Sequence, residues 1–195
     1  MVRFAAIHIR DIPNILTLCR IAVIPILVVL LSYPGPVTRG VAALLFALAS
    51  TTDYLDGYLA RRYDVTSSAG KLLDPMADKL LVMAALIMLV SLREGAVPAW
   101  MVVVILGREI LVTGLRGVGS SRGVIIEAGE LGKYKTTLQS FAITGLLIYY
   151  PYFSIDFHLG GMYFLWASLV LSIWSAVSYF RRFWPQTEPG RKSPG

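Results

Sequence analysis

The sequence predicts an all-α integral membrane protein with six transmembrane helices and a short juxtamembrane helix before them. Three observations predict it. Hydrophobic residues make up 56% of the 195 and charged residues only 15%, with a mean hydropathy of +0.66, whereas soluble domains run near 45–50% apolar and about 25% charged. Six apolar stretches approach the roughly 20 residues that cross a hydrocarbon core about 30 Å thick. The cations are also asymmetric: Lys and Arg at 3, 10, 20, 61, 62, 71, 79, 108, 116, 122, 133, 135, 181, 182, 191 and 192 fall on one side and only Arg39 and Arg93 on the other, 16 against 2. With an even number of spans, both termini are expected in the cytoplasm.

The elements follow in order. Residues 2–11, with Phe4, Ile7 and two arginines, suit a short amphipathic helix on the membrane surface. The first span, 14–32, starts like a signal peptide. Arg20 inside the run, its reach to Leu31 and the poor cleavage site Tyr33-Pro34-Gly35-Pro36 instead predict a retained helix. Spans at 40–61, 72–92, 97–116, 136–151 and 160–180 complete a single domain over 1–184. Residues 185–195, polar and rich in Pro and Gly, are expected to form a disordered cytoplasmic tail. No internal repeat suggests a two-halved transporter.

Composition also narrows function. The single Cys19 excludes a disulfide scaffold. A net charge of +6 on a hydrophobic chain points to anionic lipid or a phosphorylated substrate at a membrane face. The basic residues are too scattered, and too far from any aromatic stacking platform, for nucleic-acid recognition. Gly114, Gly117 and Gly119 follow no strand and form no nucleotide loop.

The second and third spans break the rule that membrane helices avoid charge. They carry Asp53, Asp56, Asp74 and Asp78, although an acid at a helix centre costs roughly 2.5–3.5 kcal/mol on insertion scales. Spacings of three and four put each pair on one helix face. Counted from the polar turn at 62–69, Asp56 and Asp74 come level, and so do Asp53 and Asp78. Gly57 and Ala60 beside the first pair make room for a ligand or a close helix. Like charges about 4 Å apart repel by about 4 kcal/mol at an effective dielectric near 20. Such carboxylates are therefore partly protonated or bound to divalent cations. Oxygen ligands without nearby His or Cys suit magnesium or manganese, and two ions fit. The blander alternative is helix capping and pairing with Arg61, Arg62, Lys71 and Lys79.

Residues 53–78 read Asp-x2-Asp-Gly-x2-Ala-Arg-x8-Gly-x3-Asp-x3-Asp, and in this the chain resembles the CDP-alcohol phosphatidyltransferases at every fixed position. Chain length and six-span layout are similar too. Pro13-Asn14-Ile-Leu-Thr17-x2-Arg20 and Gly132-Lys133-Tyr-Lys135-Thr136-x2-Gln139 most resemble bacterial members that use sn-glycerol 3-phosphate. The resemblance implies transfer of a phosphatidyl group from CDP-diacylglycerol to that acceptor, with release of CMP. It implies two Mg2+ or Mn2+ ions on Asp53, Asp56, Asp74 and Asp78, with Asp78 also the general base. It further implies CDP binding by Asn14, Thr17, Arg20, Asp56, Gly57, Ala60 and Arg61, and a homodimer in the bacterial cytoplasmic membrane. The plain alternative for Asn14 or Thr17 is a helix cap, and for Arg20 a snorkelling side chain.

Arg108, Arg116, Lys133 and Lys135 are the candidates for the acceptor phosphate. Arg108 interrupts an apolar run beside Glu109 and is not expected to face lipid; the others also satisfy the positive-inside rule. Two alternatives stay open. One is the same chemistry with phosphatidylglycerol, inositol phosphate or serine as acceptor; the other is a divalent-cation transporter.

Overall fold

In the computed structural model, residues 12–63, 68–121, 130–152 and 154–187 are described. The expected surface helix over 2–11 lies outside them. The described residues form six helices: α1 (Ile12–Ser32), α2 (Pro36–Tyr63), α3 (Ser68–Ser91), α4 (Ala99–Ser121), α5 (Glu130–Ile148) and α6 (Phe157–Thr187). They hold no strand beyond an isolated bridge between Tyr152 and Ile155.

Each predicted span becomes one helix, and local chemistry moves the boundaries. Residues 36–39 join α2 because Pro36 suits a first helical turn and Thr38 Oγ1 accepts from the Gly35 amide at 2.8 Å. The fifth helix stops at Ile148 rather than 151 because Tyr149 takes a left-handed conformation, φ 61°. The sixth continues through Pro185 to Thr187, so the tail expected from 185 begins within helix, and 188–195 lie outside the described residues.

One core unites all six helices. Leu27 and Leu31 of α1, Phe46 of α2, Leu81 and Leu86 of α3, Met101 and Ile105 of α4, Leu146 of α5 and Leu165 of α6 belong to a single buried cluster. The first helix packs along both α2 and α3, which touch each other less than either touches α1. The tightest pairing is α5 with α6. A Cβ added at Gly161 would stand 2.8 Å from the Leu146 amide and 3.0 Å from the Ala142 carbonyl, so only glycine admits this backbone approach.

The connections α1–α2, α3–α4 and α5–α6 gather at one end. There Arg39, 2% exposed, donates to the Glu94 carbonyl at 2.9 Å and stacks 4.2 Å from the Tyr149 ring centroid. Gly95 fits beside it at φ 67°, where an added Cβ would fall 2.4 Å from the Tyr149 ring.

Around this apolar core, burial departs from that of a soluble domain. Arg20, Arg39, Lys135 and Gln139 are buried, while Leu18, Val29, Leu44, Val103, Phe141 and Trp174 are exposed. Among the described residues, one helix passes a membrane-crossing test outright by length and composition, over Phe157–Arg181; α1 and α2 contribute shorter apolar runs, Leu16–Ser32 and Pro36–Thr52. The aspartates interrupt α2 and α3, and Arg108, Glu109, Lys133 and Lys135 interrupt α4 and α5.

Candidate active site

The aspartates sit at matched depths on α2 and α3. Asp56 is seven residues before Tyr63 and Asp74 six after Ser68; Asp53 and Asp78 are each ten from those ends. At 1.5 Å per residue the two levels lie about 10 and 15 Å inside the helix ends. The spacing counted from the sequence therefore survives helices longer than the apolar windows. Neither helix carries a histidine or cysteine, so the donor set is one of hard oxygens, which fits magnesium or manganese better than zinc. The side chains of Asp53, Asp56 and Asp74 lie outside the described residues, as do those of Asn14, Gly57, Ala60, Arg61 and Lys133.

On α1, Thr17 and Arg20 are three residues apart and both buried, at 3% and 2% exposure. Arg20 does not snorkel outward; with Leu16, Cys19 and Val23 it lines a groove closed on the α2 side by Leu45, Leu48, Ala49 and Thr52. Thr52 directly precedes Asp53. One of the expected nucleotide-binding residues, Arg20, thus faces the helix that carries the first half of the aspartate motif.

The cations expected to bind the acceptor are assembled across helices. Arg108 of α4 donates to the Ser175 hydroxyl at 2.8 Å and the Ser172 carbonyl at 3.3 Å on α6, and to Glu109 Oε1 at 2.9 Å. Lys135 of α5 forms an ion pair with the same Glu109 oxygen. Both cations are deeply placed, with side chains 9% and 4% exposed. From α3, Lys79 donates to Thr113 Oγ1 at 2.6 Å, and Thr113 donates in turn to the Glu109 carbonyl at 2.7 Å. Arg116 stands 5.8 Å from the Tyr179 ring centroid.

This seam reaches Asp78. Asp78, Lys79 and Arg108 are close enough to Lys135 for their charges to act on it, and Arg116, Asp78 and Arg108 act similarly on Lys79. Lys79, Arg108, Arg116 and Lys135 outnumber Glu109 and Asp78 by two among the described residues. That surplus suits a phosphate dianion.

Glu109 as a shared counter-ion, the two α6 serines and Lys79 were not read as parts of the site from sequence. Glu109 beside Arg108 was the available signal; which residues of α5 and α6 would meet them depends on tertiary packing.

The description CDP-alcohol phosphatidyltransferase matches residues 10–174 of the chain. A Bacillus subtilis (strain 168) protein named CDP-diacylglycerol–glycerol-3-phosphate 3-phosphatidyltransferase is 41% identical over 187 residues, covering 89% of this chain and 95% of its own. A Rickettsia bellii protein of the same name is 42% identical, covering 88% and 94%. An Arabidopsis thaliana relative, the second of that name in the plant, is 40% identical, covering 88% and 79%. The match spans the aspartate motif, the buried pair on α1 and the cationic seam alike: the chain belongs to the CDP-alcohol phosphatidyltransferase family.

Proposed function

We propose that this enzyme transfers a phosphatidyl group from CDP-diacylglycerol to sn-glycerol 3-phosphate, giving phosphatidylglycerophosphate and CMP. The observation that carries the acceptor is the set of cations on α3, α4 and α5, with the Arg108 and Lys135 side chains buried around Glu109 and Asp78 acting electrostatically on Lys79 and Lys135. The names of the relatives agree with it.

Asn14, Thr17, Arg20, Asp56, Gly57, Ala60 and Arg61 bind the CDP moiety, the small residues admitting it and the arginines meeting phosphate. Arg108, Arg116, Lys133 and Lys135 hold the acceptor phosphate. Asp53, Asp56, Asp74 and Asp78 would hold two divalent ions, which when bound would neutralise charge on the donor pyrophosphate. The acceptor 1-hydroxyl oxygen attacks the β-phosphorus, the bond from that phosphorus to the bridging oxygen breaks, and CMP leaves with that oxygen. The hydroxyl proton passes to the Asp78 carboxylate.

The chain spans the cytoplasmic membrane six times with both termini inside, and works as a homodimer. Exposed Leu, Val, Phe and Trp around buried Arg and Lys support the embedding, since so broad an apolar exterior suits lipid. Even helix number and the gathering of three connections around Arg39 and Tyr149 support the topology. A site at the cytoplasmic face lets the donor keep its tails in the bilayer while the acceptor arrives from water.

The test is CMP release by purified protein in mixed micelles of CDP-diacylglycerol with Mg2+ or Mn2+. Acceptors are supplied singly: sn-glycerol 3-phosphate, serine, inositol phosphate or phosphatidylglycerol. Release with glycerol 3-phosphate alone is expected. Release with another acceptor would retain the chemistry and overturn the acceptor assignment.

A further inference from the structure

One polar side chain in the seam has no counterpart of its own. Gln139 of α5 is 3% exposed, and its amide Nε2 is buried without a hydrogen-bond partner. An unmet buried amide costs about 1–3 kcal/mol, so a residue kept this way is expected to meet something polar during the working cycle. It stands four residues after Lys135, one turn deeper along the same face of α5. The Ser172 hydroxyl on α6 is likewise buried and unmatched, and the Ser172 carbonyl receives Arg108.

Among the described residues, α4 and α5 have no close backbone approach, although each packs against α6 and α3. The Lys135–Glu109 ion pair crosses that interval. Two phosphate-attracting cations, Arg108 and Lys135, thus share Glu109 there, and one turn from Lys135 on α5 is an amide N–H with nothing to donate to.

We infer that Gln139 is a specificity-determining residue of the acceptor pocket, donating its amide N–H to the 2-hydroxyl oxygen of glycerol 3-phosphate. The inference rests on the acceptor reading proposed above. With the phosphate on Arg108 and Lys135 and the 1-hydroxyl at Asp78, the 2-hydroxyl is the remaining polar group of this three-carbon acceptor. A site that hydrogen-bonds a substrate hydroxyl discriminates against the analogue without it, because its own buried group is then left unmet.

The test compares sn-glycerol 3-phosphate with 3-hydroxypropyl phosphate, which lacks only that hydroxyl. The wild-type enzyme should favour glycerol 3-phosphate about tenfold or more in kcat/KM, the equivalent of one good hydrogen bond. Gln139→Met should erase most of this preference through the acceptor KM, with the CDP-diacylglycerol KM unchanged. Gln139→Asn, which keeps the amide on a shorter arm, should restore part of it. A preference unchanged in Gln139→Met, or an equal loss with both acceptors, would assign Gln139 to packing and overturn the inference. Equal wild-type kcat/KM values for the two acceptors would overturn it without any variant. If the wild-type enzyme releases CMP with neither phosphate but does so with another acceptor, the acceptor reading itself fails and takes this inference with it.

Discussion

The two ends of the helix bundle both bury positive charge and hold it differently. Around the α1–α2, α3–α4 and α5–α6 connections, Arg39 is fixed by a backbone carbonyl and an aromatic face. In the seam, Arg108 and Lys135 share one oxygen of Glu109 and remain in surplus. Fixed dipoles of the chain itself hold Arg39 in one place and leave little for a ligand to do. A cation excess over the acids beside it attracts an anion from outside. Burial of a charge alone therefore does not mark a functional residue; the balance around it does.

Three substitutions test this contrast. The largest effect is expected for Asp78→Asn, which removes the proposed proton acceptor within reach of the seam. Turnover should fall about 10²–10⁴-fold, while CDP binding, measured by titration calorimetry in detergent, is largely retained. Equal loss of both would mean that Asp78 serves binding and not proton transfer. Next comes Arg108→Met. Losing charged hydrogen bonds worth about 1.5–3 kcal/mol should raise the glycerol 3-phosphate KM roughly 10- to 100-fold, leaving the donor KM in place. A rise in both constants would assign Arg108 to the α4–α6 contact instead. The smallest effect on catalysis is expected for Arg39→Met: a lower thermal midpoint in detergent, from a loss of about 1–3 kcal/mol, with both KM values unchanged. A shift in the acceptor KM would end the distinction between the two ends.

Much of this architecture was legible in the sequence because membrane helices must bury or expose whole apolar faces. The six runs became six helices, with the aspartates at similar residue counts from the end of α2 and the start of α3. What escaped is set by partners far along the chain. Nothing local says that Glu109 will meet Lys135, that Arg108 will reach Ser175, or that Gln139 will lie buried without a partner. The closeness of α5 and α6 escaped as well, since it rests on two backbones meeting at Gly145 and Gly161. Helix ends moved where a capping hydroxyl or a left-handed tyrosine outweighed hydropathy.

That crossing has a mechanical consequence. With backbone against backbone at Gly161, α5 and α6 act as one stiff beam, and a bend in either must carry the other. The fourth helix joins that beam by packing directly on α6 and through two longer arms, Arg108 on Ser175 and Arg116 on Tyr179. Movement of α4 is therefore felt by α6 through direct packing and by α5 through the Lys135–Glu109 ion pair.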